Sequence, residues 1–366
     1  MIQELKIIIE LGCGILLSGF ALLGITQDWY TAVQWSLQAG LLWAGVCLYV
    51  SRLVTLNRAT VDSTLYSCLG WGNRLTILRG GLVALVGGFL YLNQAMSVNV
   101  LLPAAFYTMA AVLDRFDGYV ARRTKQVSML GNQLDIAFDA LGLVVAPLLA
   151  ISWGKVHGSY LLLSVAYYVY QWGLRHRQLL GLPYYALPEN SLRRTLAGFQ
   201  MGFIALALWP VLNSKLTNIA SIAFMLPVLF GFVLDWYVVT GRLSTRFYNR
   251  VGAWSEHIFQ PGLRVLIILS VILMVTNTRS FFSAVIDDPL LFFGVIAAAS
   301  LILLGCAGRL GALLLILLLG WCYPTVGSHA IDYLLIFIAS WLLLLGTGKY
   351  SIWHWGDEWL SRYTGA

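Results

Sequence analysis

Apolar runs of roughly 15–24 residues recur along the whole chain, the length at which a helix crosses a hydrocarbon core ~30 Å thick. The runs are continuous, whereas the strands of a transmembrane barrel would read as ~10-residue segments of alternating hydrophobicity. In lipid the backbone must satisfy its own hydrogen bonds, so unbroken runs of this length fold as helices. Their spacing predicts an all-α, polytopic integral membrane protein with twelve transmembrane helices, near 5–25, 31–53, 75–95, 98–121, 130–152, 157–177, 192–213, 218–241, 263–277, 289–307, 309–323 and 330–347. Composition agrees, since 59% of the 366 residues are hydrophobic and 11% are charged, where a soluble domain carries about 25% charged residues.

The formal net charge of +7 matters through its distribution. With the N-terminus in the cytoplasm, Lys155, Lys215 and Arg279 fall outside and the other twenty of the 23 Lys and Arg fall inside or at the inner edge. Both termini are therefore expected on the cytoplasmic side. The first run contains Gly12, Gly14 and Gly19 and no small-residue cleavage pattern before Asp28, so it reads as a retained helix. Cys13, Cys47, Cys68, Cys306 and Cys322 lie mostly inside apolar runs without metal-ligand spacing and read as small packing residues. His157, His176, His257, His329 and His354 sit near predicted helix ends, again without ligand spacing, and are assigned interfacial or solvent roles.

The runs group into blocks. Residues 1–54 make an N-terminal helix pair, and the polar stretch after Arg52, with Tyr66 and Trp71, reads as an interfacial elbow. Residues 55–241 hold a six-helix core with nearly all the intramembrane polar chemistry. The basic, aromatic segment 242–258 reads as a cytoplasmic linker, and residues 259–366 as a C-terminal block of four helices. No internal repeat is visible. An ion- or proton-coupled transporter using intramembrane aspartates is the alternative reading of such a chain, and it would favour paired halves with matching broken helices.

One stretch of the core departs from the apolar pattern. From Asp114 to Asp139 the chain reads D-x2-D-G-x2-A-R-x8-G-x3-D-x3-D. A carboxylate at bilayer depth costs roughly 2.5–3.5 kcal/mol on insertion scales, so four of them need an offsetting partner. Hard divalent cations take carboxylate oxygens and commonly bring a phosphate with them. On helices Asp114 and Asp117 share one face, as do Asp135 and Asp139, so two facing helices would present four carboxylates to one cavity, enough for one or two ions. Gly118 and Gly131 leave room beside those faces for a phosphate or a neighbouring backbone, and Arg122 lies where its fork could pair with a phosphate oxygen.

The whole pattern, Asp114, Asp117, Gly118, Ala121, Arg122, Gly131, Asp135 and Asp139, resembles the signature of the CDP-alcohol phosphotransferase (CDP-alcohol phosphatidyltransferase) family. The preceding NRLTILRG, from Asn73 to Gly80, resembles that family's N-x-x-T-x-x-R opening, and the likeness covers about residues 60–241. The resemblance implies a six-helix membrane core that cleaves the pyrophosphate of a CDP-linked donor, releases CMP and joins the phosphate to an alcohol, in phospholipid biosynthesis. It further implies Mg2+ or Mn2+ as cofactor, two ions, held by Asp114, Asp117, Asp135 and Asp139, with Asp139 as the base on the incoming hydroxyl. Asn73, Thr76, Gly118, Ala121, Arg122 and Gly131 would line the CDP-donor site at the cytoplasmic face.

Arg193 and Arg194, one step before Thr195, resemble the family's basic K-x-K-T stretch, which meets an acceptor phosphate in several members; a positive-inside anchor is the other reading of this pair. The run ARRTKQVSMLGNQLD looks more like members that use CDP-diacylglycerol than members that use a CDP-headgroup. The expected partners are CDP-diacylglycerol or another CDP-linked donor, a small alcohol acceptor that could be phosphorylated, and membrane lipid. A homodimer is compatible with this reading, and no nucleic acid is expected. The last four helices, with LLGCAGRLGALLLILLLGW and the ending LLLLGTGKYSIW, resemble the DoxX-like membrane family over about residues 260–356, with Thr347 where that family has proline. That block reads as an accessory domain.

Overall fold

The computed structural model describes residues 1–92, 97–188, 191–276, 288–322 and 330–353. Its regular elements are all helical. The N-terminal pair is α1 (Ile2–Thr26) and α2 (Trp29–Leu53). There follow α3 (Trp71–Gly87), α4 (Ser97–Arg123), α5 (Met129–Ser152), α6 (Leu161–Leu179), α7 (Ser191–Ala207) and α8 (Ser214–Val239). Beyond them come α9 (Thr245–Trp254), α10 (Gln260–Thr276), α11 (Pro289–Leu304), α12 (Gly308–Cys322) and α13 (Ala330–Leu345). Each of the twelve expected helices has a counterpart, and the all-α membrane class holds. Among the described residues five stretches, Ile2–Thr26, Trp29–Leu56, Met129–Ser152, Ser214–Val239 and Thr245–Leu273, are long and apolar enough to cross a membrane.

Helix starts follow local chemistry. Asp28 caps α2, its carboxylate accepting from the Thr31 amide and hydroxyl, both at 2.8 Å, and the amide bond above all holds that carboxyl below the usual carboxylate range. Ser128 caps α5 by accepting from the Gly131 amide at 3.0 Å. α3 differs from its sequence expectation at both ends. It begins at Trp71 because Gly70, at φ 81°, turns the chain into it, and it stops at Gly87 beside Gly88, with Tyr91 at φ 60° in the turn beyond. Segment 242–258, expected as a linker, is largely helical: α9 runs through a π turn (Ser255–Phe259) straight into α10.

The chain divides into two compact units, Met1–Gly154 with Met201–Pro210, and Lys155–Gln200 with Val211–Ala366. In the first, α3 is central and packs against α2, α4 and α5, while α1 packs on α2. Lipid is as apolar as leucine, so helices here associate through close packing rather than through escape from water. Trp43, Val46 and Val50 of α2, Ile77 and Ala84 of α3, and Leu130, Leu134 and Phe138 of α5 form one buried cluster. The non-helical segment before α3 is tied down by hydrogen bonds. Buried Asn57 donates to the Cys68 carbonyl at 2.8 Å, and the Arg58 carbonyl accepts from the Met129 amide at 2.9 Å, which fixes the start of α5.

In the second unit α8 packs against α6 and α13, α10 against α11 and α13, and α12 between α11 and α13. Trp341 of α13 donates its indole N–H to the Ala223 carbonyl of α8 at 2.8 Å. Arg264 of α10 is buried without a carboxylate beside it among the described contacts. Its guanidinium instead takes the last carbonyls of α11, Ile302 at 3.0 Å and Leu303, along with the Lys349 carbonyl at 3.4 Å. The Ile302 carbonyl also accepts from the amide of Gly305, left-handed at φ 66°, at 3.1 Å, so the buried cation adds to the glycine C-cap of α11.

Candidate active site

Helices α3, α4 and α5 carry the polar chemistry of the first unit on facing sides. They can approach closely because glycines stand at the crossings. A Cβ on Gly72 would lie 2.7 Å from the Cβ of Ala121 on α4, and one on Gly131 would lie 2.6 Å from the Oδ1 of Asn73. Asp114 and Asp117 sit one turn apart on α4, and Asp135 and Asp139 one turn apart on α5.

Between them stands Arg79 of α3, 1% exposed. Its Nη1 pairs with Asp114 and, at 3.1 Å, with Asp117; its Nη2 pairs with Asp135 at 2.7 Å and Asp139 at 3.0 Å. Sequence reasoning placed Arg79 only as the last letter of N-x-x-T-x-x-R and gave it no contact with the aspartates. One guanidinium against four carboxylates leaves a formal charge of about −3 if all are ionised, in surroundings where charge is poorly screened. Asp114, Asp135 and Asp139 each offer an oxygen, all within 4.8 Å of one another. A compact set of hard oxygens with excess negative charge fits a divalent cation such as Mg2+.

The carboxylates differ in access. Asp117 and Asp114 are walled in, with 7% and 23% of the side chain exposed, whereas Asp139 and Asp135 face the open side at 38% and 48%. Asp117 is held by Thr76, whose hydroxyl donates to Oδ2 at 3.0 Å, and by the Gly118 amide at 2.6 Å.

Beside this cluster lies a cavity of about 250 Å3, and all six residues expected on the nucleotide side, Asn73, Thr76, Gly118, Ala121, Arg122 and Gly131, line it together with Asp117 and Asp135. The Arg122 guanidinium lies over Gly118, with Nη1 3.3 Å from where a Cβ there would sit. Asn73 also holds the fold together, since its amide nitrogen donates to Asn57 Oδ1 at 2.9 Å, the Leu69 carbonyl at 2.7 Å and Ser128 Oγ at 3.0 Å. Sequence reasoning missed Ser128, which lines the cavity, and Asn57, which holds Asn73 without lining it. The signal for Ser128 was there, a serine just ahead of a helical run. Arg193 and Arg194 fall in the first turn of α7, and their side chains lie outside the described residues, as do His329 and His354.

Residues 70–233 match the family model described as CDP-alcohol phosphatidyltransferase, a stretch that includes all four aspartates and Arg79. A similar protein is the CDP-diacylglycerol–glycerol-3-phosphate 3-phosphatidyltransferase of Rickettsia bellii (strain RML369-C), 29% identical over 171 residues, which are 46% of this chain and 90% of the relative. No solved structure matches the chain.

Proposed function

From the match of residues 70–233 to the CDP-alcohol phosphatidyltransferase family, we propose that this chain moves a phosphatidyl group from CDP-diacylglycerol to a small alcohol and releases CMP. The observation that carries the reading is the junction of a nucleotide-sized cavity with a carboxylate cluster whose outer members are half open. The cytidine diphosphate would lie against Asn73, Thr76, Gly118, Ala121 and Gly131, with the Arg122 fork on a phosphate oxygen. Asp114, Asp117, Asp135 and Asp139 would hold Mg2+ or Mn2+, two ions in this reading, which when bound neutralise the pyrophosphate and ease departure of the leaving oxygen. Asp139, on the open side, accepts the proton of the acceptor hydroxyl. The hydroxyl oxygen then bonds to the phosphorus that carries diacylglycerol, the P–O bond to CMP breaks, and its electron pair leaves with CMP.

The same proposal sets this site at the cytoplasmic face, with both termini on that side, following the Lys and Arg distribution. Residues 55–241 are the catalytic core in it, and the DoxX-like block from 259 is accessory. Because the Rickettsia relative is named for glycerol 3-phosphate, that alcohol is the first acceptor to test. Purified full-length protein given Mg2+ and CDP-diacylglycerol should release CMP only when the right alcohol is added, with the lipid product identified by mass. A panel of glycerol 3-phosphate, inositol phosphate and serine, with CDP-choline as the alternative donor, covers the family's range. Silence across that panel would overturn the reading.

Asp139→Asn should lower turnover by at least ~100-fold, the lower end of a general-base contribution, while CDP-donor binding survives largely intact. Near-normal turnover in that variant would remove Asp139 from the role of base. If Arg193 and Arg194 meet an acceptor phosphate, changing either to Ala should raise the KM for glycerol 3-phosphate ~10-fold or more, the loss of a charge-assisted contact of about 1.5–3 kcal/mol. Serine, which has no phosphate, should barely respond. Equal losses with both acceptors would favour a membrane-anchor role for the pair.

A further inference from the structure

A groove of about 440 Å3 runs along the first unit between α1 and α3. Its walls are Ile7, Leu11 and Ile15 of α1 and Leu78, Leu82 and Leu85 of α3, with Trp43 of α2 at its floor. Ile7, Leu11, Ile15 and Leu78 are about half exposed or more, and α1, which carries the first three, is long and apolar enough to cross a membrane. Two charged residues line it, Glu4 and Arg74, and both stand at one end, in the first turns of α1 and α3. The groove shares no residue with the cavity beside the aspartates.

We propose that this groove binds one zwitterionic membrane phospholipid, an acyl chain along the apolar walls and the phosphate and ammonium of the headgroup at Arg74 and Glu4. Length supports it: from Arg74 to Leu85 the helix rises roughly 16 Å, and half of a ~30 Å hydrocarbon core, the depth an acyl chain fills, is about the same. Polarity supports it too, since the charges sit at one end only, as in a lipid. Trp71, exposed, has the Arg74 guanidinium 4.8 Å from its ring centre, an aromatic placed as headgroup-level anchors are.

Charge chooses the class of headgroup. Arg74 Nη2 pairs with Glu4 Oε1 at 3.2 Å, and Glu4 Oε2 accepts from the Leu69 amide at 2.9 Å, yet the two side chains remain 35% and 28% exposed. An arginine has five N–H donors and a carboxylate about four acceptor positions, so both have capacity beyond their own pair. The pair is net neutral. A purely anionic headgroup would meet the Glu4 charge, whereas one carrying phosphate and primary ammonium satisfies both residues. The proposal does not rest on the transferase reading, because the groove shares no residue with the cavity beside the aspartates, although its α3 wall lies within the matched residues.

The test uses full-length protein in detergent, incubated with phosphatidylethanolamine or phosphatidylglycerol of identical acyl chains, with bound lipid counted by native mass spectrometry. One phosphatidylethanolamine should be retained at least ~10-fold better than phosphatidylglycerol, the scale of one charge-assisted contact. Glu4→Gln, which removes the carboxylate that takes the ammonium and repels a purely anionic headgroup, should erase that preference without changing the helical circular dichroism. Leu11→Trp, which fills the groove from its exposed wall, should lower retention of both lipids, and Ile15→Trp repeats the test should the first variant misfold. Equal retention of the two lipids by the native protein would overturn the proposal. So would a preference that survives Glu4→Gln, or a groove found occupied by a second copy in a dimer that Leu11→Trp dissolves.

Discussion

Stripping divalent cations from the protein with EDTA is expected to bring CMP release to background, and Mg2+ or Mn2+ should restore it. Four carboxylates converge on one guanidinium, and the oxygens of Asp114, Asp135 and Asp139 lie within 4.8 Å of one another, so the cluster carries excess negative charge in a confined space. A donor bringing a pyrophosphate would add more. Phosphoryl transfer between such groups depends on positioning and on neutralising charge as it moves to the leaving oxygen. The chelated protein should nevertheless stay folded, because Arg79 already pairs with each of the four aspartates. Circular dichroism should therefore change little while activity disappears. Undiminished turnover in metal-free buffer would sink the metal assignment, and global unfolding on chelation would show that Arg79 alone does not hold the cluster.

The convergence of the four aspartates was legible because it needs only helical periodicity: spacings of three and four place each pair on one face, and the short connection from α4 to α5 sets the faces together. The six cavity residues were legible for a different reason, since they came from a family resemblance rather than from periodicity. Arg79 was not assigned to the cluster because it belongs to a third helix, and linear spacing gives no information on which way that helix turns. Its contacts close only when Gly72 and its neighbours let α3 settle against α4 and α5. Asn57 escaped for a related reason. It sits outside any helix, and its partners Cys68 and Asn73 follow 11 and 16 residues later.

Segment 242–258 shows composition competing with periodicity. Its arginines and polar residues suggest a connection, yet Tyr248, Val251, Ser255 and Phe259 recur at helical spacing and line one groove with Phe230 and Leu234 of α8. The helical repeat was in the sequence, masked by the basic residues on the other face, Arg246 and Arg250, which are exposed. The C-terminal end of α3 was misplaced because hydropathy sees the apolar residues beyond Gly87 and not the turn beyond Gly88, where Tyr91 takes φ 60°.

Replacing Arg79 should cost the protein more stability than replacing any one aspartate. Arg79→Gln removes the one cation that contacts all four carboxylates and leaves them facing each other at 1% exposure of the lost side chain, the situation in which breaking a buried pair costs about 3–5 kcal/mol. Asp135→Asn, by contrast, removes one negative charge from a cluster that has too many, at a side chain 48% exposed, and should be far milder. Arg79→Lys should fall between, since an ammonium keeps the charge but cannot reach two pairs of carboxylates with two separate nitrogens. Thermal unfolding in detergent with EDTA measures this order directly. Added Mn2+ should raise the midpoint of Arg79→Gln more than that of the native protein, because the cluster left behind has lost its own counter-charge and binding to the folded state stabilises it. If Arg79→Gln unfolds at the native midpoint in EDTA, the guanidinium is not what holds these carboxylates together. If Mn2+ stabilises both proteins equally, the cation and Arg79 do not share the same four side chains.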